Sequence, residues 1–331
     1  MPTNNQKLIL EQLLQSHHVV VTTHINPDGD ALGASLGLVH WLHSQGVQAS
    51  VLLPNSPSAN LMWMPGAESA RVWNPSDRGL LETADTIVVL DLNSIARLGD
   101  LGTAVAETDA VVVNIDHHTK PEDFASLAWI DTDACSTCFM IAMLLVGHFG
   151  PAALSGEAAQ CLYAGIMTDT GSFRFPRTTA NVFHMAGELV GRGADPVKAY
   201  DQVMNQGSIG RTMLLGKTLS TMQVLAGGRL CVMSVSKADM VEFECSREDV
   251  DGFVQQTLTL KGVEMGILVV ELDAEVKISF RSKGTTYVHE LAARYGGGGH
   301  QYAAGARVSG KTLREVCQDI SSVASASLEP S

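Results

Sequence analysis

The chain has 331 residues, 45% of them hydrophobic, and a formal net charge of −13. That length suits two domains with sizeable cores, and the acidity argues against a general duplex-DNA binder, which needs an excess of Lys and Arg. The six cysteines show no disulfide framework, and Cys135-x-x-Cys138 has no second pair, so helix packing is expected there rather than a zinc knuckle.

Residues 1–16 read as a polar, capped amphipathic helix and not as a signal peptide. No apolar stretch reaches membrane-spanning length, so the cytoplasm is the expected location. His18 to Thr23 reads as a buried strand, Ala31 to Ser44 as a helix with Leu32, Leu36, Val39 and Leu42 on one side, and Val47 to Leu53 as the next strand. Ile87 to Leu90 and Val111 to Ile115 are short apolar runs with little alternation, the mark of strands covered on both faces. This βαβα order predicts a doubly wound parallel α/β domain, with ligands beyond the carboxyl ends of the strands. Cys135 to about Met222 reads as mostly helical, broken at Gly191 to Pro196, where Asp195 is the expected N-cap and Pro196 the first turn. The link to a second domain is expected between about Gly191 and Gly216. After it, Gln223 to Ala226 and Leu230 to Val235 read as a hairpin, Gly262 to Leu272 and Val276 to Ser282 as a strand pair, and Val288 to Tyr295 as a helix. The Ser-rich residues 321–331 are expected to fray.

The chemistry lies at the ends of these elements. His24, Asp28 and Asp30 share the turn His-Ile-Asn-Pro-Asp-Gly-Asp after the first strand. Helix capping by Asp30 accounts for one carboxylate but not for the imidazole and the second Asp. Asp91 follows the Ile87–Leu90 run; alone it reads equally as a turn residue. Asp116-His117-His118 directly follows another strand, where three ionisable groups are costly without partners. One His can ligate a metal while an Asp orients a ring, and the other His can contact phosphate or act as general acid. Asp169 stands in Thr168-Asp169-Thr170-Gly171 at the end of a helical stretch. Hard oxygen and imidazole donors at several element ends are what a multi-metal hydrolytic centre is built from. Gly296 to Gly299 with His300 reads as a backbone loop that approaches an anion, a flexible linker being the alternative. Arg281, ending a strand in the same domain, is a phosphate clamp or an ordinary surface Arg.

Taken together, these motifs resemble the DHH phosphoesterase family in its DHHA1 subgroup, and within it the NrnA-like enzymes. The H-x-N-P-D-G-D segment, the later Asp, the Asp-His-His and the Thr-Asp-Thr-Gly stand in the family's order, and Phe280-Arg281-Ser282 and the Gly-rich run with His300 resemble the DHHA1 domain. The resemblance implies a DHH domain over residues 1–190, a helical linker over 191–216 and a smaller α/β DHHA1 substrate-binding domain over 217–331. It implies two Mn²⁺ per chain, with Mg²⁺ or Co²⁺ as substitutes. His24, Asp28 and Asp91 would hold one ion, and Asp30, Asp91, His117 and Asp169 the other, with Asp91 bridging. His118 would face the phosphate, completing a catalytic set with Asp91 and Asp116. Arg281, Gly297, Gly298, Gly299 and His300 would grip the substrate. That substrate would be a short RNA, a linear dinucleotide or 3′-phosphoadenosine 5′-phosphate, with no duplex DNA and no membrane as partner, and a homodimer is compatible with the family. The family often has an acidic residue near position 139, where this chain has Phe139. A cyclic-dinucleotide phosphodiesterase, an inorganic pyrophosphatase or exopolyphosphatase-like enzyme, and a non-catalytic nucleotide sensor are the alternatives.

Overall fold

The computed structural model describes residues 4–328, with the side chain of His300 outside that description. Two compact units divide at Gln206–Gly207. The first contains, in chain order, α1 (Asn4–Gln15), β1 (His18–Thr23), α2 (Gly29–Ser44), β2 (Gln48–Leu53), β3 (Arg71–Val72), α3 (Arg78–Glu82), β4 (Thr86–Leu90), α4 (Asp100–Ala106), β5 (Val111–Asp116), β6 (Leu127–Ile130), α5 (Thr137–Phe149), α6 (Gly156–Asp169), α7 (Ala180–Gly191) and α8 (Pro196–Met204). Its six strands form one parallel sheet in the order β3-β2-β1-β4-β5-β6.

The apolar runs explain the two-sided burial. Val19 and Val21 point into one core with α1, α2, α5 and α6, while Val20 points into the other with Leu81, Leu98 and Leu101 from the α3–α4 side. The strand order reverses between β1 and β4, and that switch point is where such sheets open a crevice for ligands.

A glycine stripe sets how closely α2 lies on α6. A Cβ at Gly29 would meet Thr168, one at Gly33 would stand 2.5 Å from the Cys161 carbonyl, and one at Gly37 would meet Leu162. Spacing of four residues puts all three on one helix face. Gly165 answers from α6, where a Cβ would stand 2.1 Å from Cys138 Sγ and 3.1 Å from the Asp30 Cα. The close approach brings the start of α2 against the end of α6, which carry Asp30 and Asp169.

The second unit contains α9 (Ile209–Ser220), β7 (Gln223–Leu225), β8 (Leu230–Val235), α10 (Lys237–Glu242), β9 (Met265–Glu271), β10 (Glu275–Ser282), α11 (His289–Ala293), β11 (Gly298–His300), β12 (Ala303–Ser309) and α12 (Leu313–Leu328). Its mixed sheet runs β11-β12-β10-β9-β8-β7, with only β8 and β9 parallel. One face packs on α11 and α12, the other on Leu214, Met240, Phe253 and Val254.

The units divide inside the expected 191–216 link, whose two helices also pack: α8 buries Ala199 in the first unit's core, and α9 buries Leu214 in the second's. Two expectations need correction. The Ser-rich end does not fray before Leu328, because Val316, Ile320, Ala324 and Leu328 make a buried stripe at four-residue spacing. Residues 329–331 lie outside the described residues. The glycine run is not an open loop, because Gly298–His300 forms β11 and pairs with β12.

Gly33→Ala is expected to lower the thermal midpoint, because the methyl group meets a backbone carbonyl and overpacking costs about 1–3 kcal/mol. Gly187→Ala, in α7 with open space around its Cβ, is expected to raise the midpoint through the better helix propensity of Ala. A destabilised Gly187→Ala or a neutral Gly33→Ala in thermal unfolding contradicts this packing.

Candidate active site

The site stands at the carboxyl ends of β1, β4 and β5, neighbours in the sheet. His24 directly follows β1, Asp91 follows β4, Asp116 ends β5 with His117 and His118 after it, and Asp169 ends α6. Asp28, not Asp30, is the N-cap of α2: its Oδ1 accepts from the N–H groups of Asp30 and Ala31 at 3.0 Å. Asp30 lies inside the first turn and is buried.

Asp91 is the centre of the geometry. Its backbone is left-handed (φ 61°), and its N–H donates to the Ile115 carbonyl at 3.1 Å. Such a conformation in a non-glycine residue is strained and persists only where the surroundings hold it. Asp91 Oδ2 lies 3.5 Å from His24 Nε2, and Oδ1 lies 3.4 Å from His117 Nε2. Each carboxylate oxygen thus faces a different imidazole. Around them, donor atoms of His24, Asp28 and Asp91 lie within 4.8 Å of one another, as do those of Asp30, His117 and Asp169, and those of Asp91, His117 and His118.

The rings are aimed by partners on their far nitrogens. His24 Nδ1 donates to the Ile25 carbonyl at 2.9 Å and His117 Nδ1 to the Ala134 carbonyl at 3.3 Å, which leaves both Nε2 atoms turned to the carboxylates. His118 Nδ1 donates to Asp116 Oδ1 at 2.7 Å. Asp116 is fully buried, and its Oδ2 has no hydrogen-bond partner among the described residues.

What sequence reasoning did not foresee is the hold that the start of α5 has on the carboxylates. The Thr137 N–H donates to Asp30 Oδ2 at 2.7 Å, the Cys138 N–H to Asp30 Oδ1 at 2.8 Å, and the Thr137 hydroxyl to Asp91 Oδ1 at 3.0 Å. Free N–H groups and the positive end of a helix are natural partners for a buried carboxylate. The signal was Ser136, the N-cap whose hydroxyl accepts from the Phe139 N–H. Cys135 and Cys138 are free and buried, in keeping with packing; burial pushes the Cys135 thiol up to about 12.

The electrostatics show a centre short of positive charge. Burial, together with the charges of Asp91 and Asp169, pushes Asp30 well above the usual carboxylate range. Burial likewise raises Asp169, to about 6, against the pull of His117. Burial alone would lower His117, but the Asp91 hydrogen bond and the charges of Asp30, Asp91 and Asp169 raise it to about 9. His24 is raised by Asp91 in the same way. Asp91 itself, despite burial, is held well below the usual range by His117 and His24. Protons therefore do the neutralising when no cation does. Hard carboxylate oxygens with two aimed imidazoles are a donor set that fits divalent transition-type cations.

In the second unit, Arg281 lies half-buried on β10, where its guanidinium donates to the Phe280 carbonyl at 2.9 Å; among the described residues no carboxylate is in ion-pair range of it. The glycines after α11 serve the fold first. The N–H groups of Gly296 and Gly297 donate to the Ala293 and Ala292 carbonyls and cap the helix. Gly298 to His300 then pair with β12, and a Cβ at Gly297 or Gly299 would meet that strand's backbone at 2.1 or 2.6 Å. The side chain of His300 lies outside the described residues.

Comparison with known proteins identifies the family. The sequence model of the DHH family's N-terminal domain matches residues 18–166, and that of the DHHA1 domain matches residues 227–326. The bifunctional oligoribonuclease and PAP phosphatase NrnA of Thermus thermophilus is 32% identical over 91% of this chain and 87% of its own length. The chain belongs to the DHH family. Its Bacillus subtilis relative of the same name is 28% identical over 88% of this chain and 89% of its own. A crystal structure of an exopolyphosphatase-related protein from Bacteroides fragilis superposes with a TM-score of 0.92 at 30% identity, covering 98% of both chains. The resemblance read from the motifs is therefore correct, the two-domain α/β architecture with it, and the chain is a phosphoesterase. Among the described residues no helix is long and apolar enough to cross a membrane.

Cation binding should displace the protons that now neutralise the cluster. At pH 7 Mn²⁺ titrated into cation-free protein is expected to release at least one proton, that of His117, held at about 9. Affinity should fall as pH drops below about 9, and more steeply below about 6, where Asp169 also protonates. Calorimetry in buffers of different ionisation enthalpy measures this; proton-neutral binding at pH 7 contradicts it.

Proposed function

We propose that this phosphoesterase hydrolyses short oligoribonucleotides and 3′-phosphoadenosine 5′-phosphate with a pair of divalent cations, Mn²⁺ in preference to Mg²⁺ or Co²⁺. The observation that carries this reading is Asp91, buried between two imidazoles with one oxygen toward each. His24, Asp28 and Asp91 would hold one ion; Asp30, His117, Asp169 and Asp91 the other. The similarity to proteins named for oligoribonuclease and PAP phosphatase activity supports the substrate class.

Bound there, the cations would supply Lewis acidity, lowering the pKa of water and neutralising phosphoryl charge. The chain's residues do the rest. Asp91 keeps its negative charge because two imidazoles hydrogen-bond to it, so it is ready to be shared. The α5 amides fix both oxygens of Asp30, so this carboxylate cannot turn away. Asp116 locks the His118 ring by its Nδ1, which commits Nε2 to the substrate side as a phosphate contact and proton donor to the leaving oxygen. Arg281 offers a guanidinium without a carboxylate partner, suited to a second phosphate or the chain's backbone.

Purified protein with Mn²⁺ is expected to release mononucleotides from two- to five-residue RNA and inorganic phosphate from the bisphosphate. Asp91→Asn should lower kcat by roughly a thousandfold, since several kcal/mol of charge stabilisation pass through it. Arg281→Ala should mainly raise KM. Failure of the wild-type chain on all these substrates at saturating Mn²⁺ contradicts the proposal.

A further inference from the structure

The segment directly after Asp169 is built at visible cost. Gly171, Ser172 and Phe173 are left-handed in succession, with φ of 57°, 59° and 62°. Two of the three carry side chains, which rarely adopt that conformation. Thr170 over-determines the turn: its carbonyl accepts from the N–H groups of Arg174 and Phe175, and its buried hydroxyl accepts from that of Phe173. Phe173 anchors the segment below, its ring 5.8 Å from that of Tyr163 and 5.6 Å from that of Phe183.

The turn delivers Phe175. Its ring lies over Gly171, where a Cβ would stand 2.4 Å from it, so any side chain at 171 would push it off. The ring is backed by this bare backbone yet remains 49% exposed. Arginines flank it in the sequence. Arg174 Nε donates to the Gly171 carbonyl at 2.7 Å, and Arg177 Nη1 reaches the Ala134 carbonyl at 3.4 Å. That carbonyl is the one that aims His117. Arg177 is thus tethered within one acceptor of the cation-facing imidazole. Among the described residues no carboxylate is in ion-pair range of either arginine, although the neighbouring cluster is strongly acidic.

A backed, half-exposed ring with two guanidinium groups in the same turn, neither paired to a carboxylate, suits one chemistry, a nucleobase with its attached phosphates. Base–aromatic stacking tolerates every base, and arginine adds phosphate and cation–π contacts. Resting on the phosphoesterase reading above, we propose that the Ser172–Arg177 turn is the substrate-selecting element of this site: Phe175 stacks a nucleobase of the substrate, and Arg177 holds a phosphate next to the scissile one. The strain after Asp169 then fixes the distance from the cleaved bond to the stacked base. It also separates a nucleotide substrate from inorganic polyphosphate, which has no base to stack.

The test compares 5′-phosphorylated ApA with analogues in which one or the other base is removed, on the full chain with Mn²⁺. Wild-type protein should prefer the intact dinucleotide over one of the abasic analogues by about tenfold or more in kcat/KM, in line with stacking of about 1–3 kcal/mol per base. Phe175→Ala should erase that preference and Phe175→Trp should keep it. Arg177→Ala should raise KM for all three substrates, with partial recovery in Arg177→Lys. Mn²⁺ affinity reports whether Asp169 has moved; a Phe175→Ala protein that binds Mn²⁺ normally and keeps the wild-type preference overturns the proposal. So does a preference lost equally in Phe175→Ala and Phe175→Trp. A wild-type chain inactive on every nucleotide substrate instead overturns the functional reading on which this one rests.

Discussion

Two buried carboxylates, Asp30 and Asp91, cannot stand beside two more and two imidazoles unless something offsets the repulsion, and the first unit is organised around that constraint. Asp30 and Asp91 are almost wholly buried, and Asp28 and Asp169 stand beside them. Burying like charges is costly without compensation. The cation-free protein compensates with protons, on His117 above all and on Asp30, and with the amides of α5. Those are substitutes for divalent charge, and a site that holds protons this tightly near neutrality is one that cations would displace them from.

The scaffold explains how the charges come together from distant parts of the chain. Parallel strands β1, β4 and β5 end side by side, so residues 24, 91 and 117 converge without any long-range loop. The sheet does not by itself deliver Asp30 and Asp169, which are carried by helices. The glycine faces of α2 and α6 do that, by letting two backbones approach more closely than side chains would allow. Stability and site geometry therefore share the same contacts, and a methyl group added at position 33 or 165 disturbs both.

Much of this was legible in the sequence because it depends on local patterns. Apolar strands without alternation announced a two-sided sheet, and the acidic and imidazole residues stood where those strands ended. His24, Asp28, Asp30, Asp91, Asp116, His117, His118 and Asp169 all meet in one place. What escaped was non-local. Nothing in the sequence around Thr137 says that its amide clamps a carboxylate more than a hundred residues earlier. Asp28 rather than Asp30 caps α2, because the helix begins at Gly29, two residues before the expected start at Ala31. Four consecutive glycines suggest a bare backbone for a ligand, and the structure gives them a packing reason as well: they end α11 and lie against β12. Strand β12 and helix α12 were hidden by short residues and serines, whose burial only the paired sheet makes evident.

A shared Asp91 is the central requirement of such a centre. The most direct measurement is a crystal structure of the chain grown with Mn²⁺ and recorded at the manganese absorption edge. Two anomalous peaks per chain, each within coordination distance of a different Asp91 oxygen, are the expected result. A single peak, or two peaks of which neither touches Asp91, would contradict it.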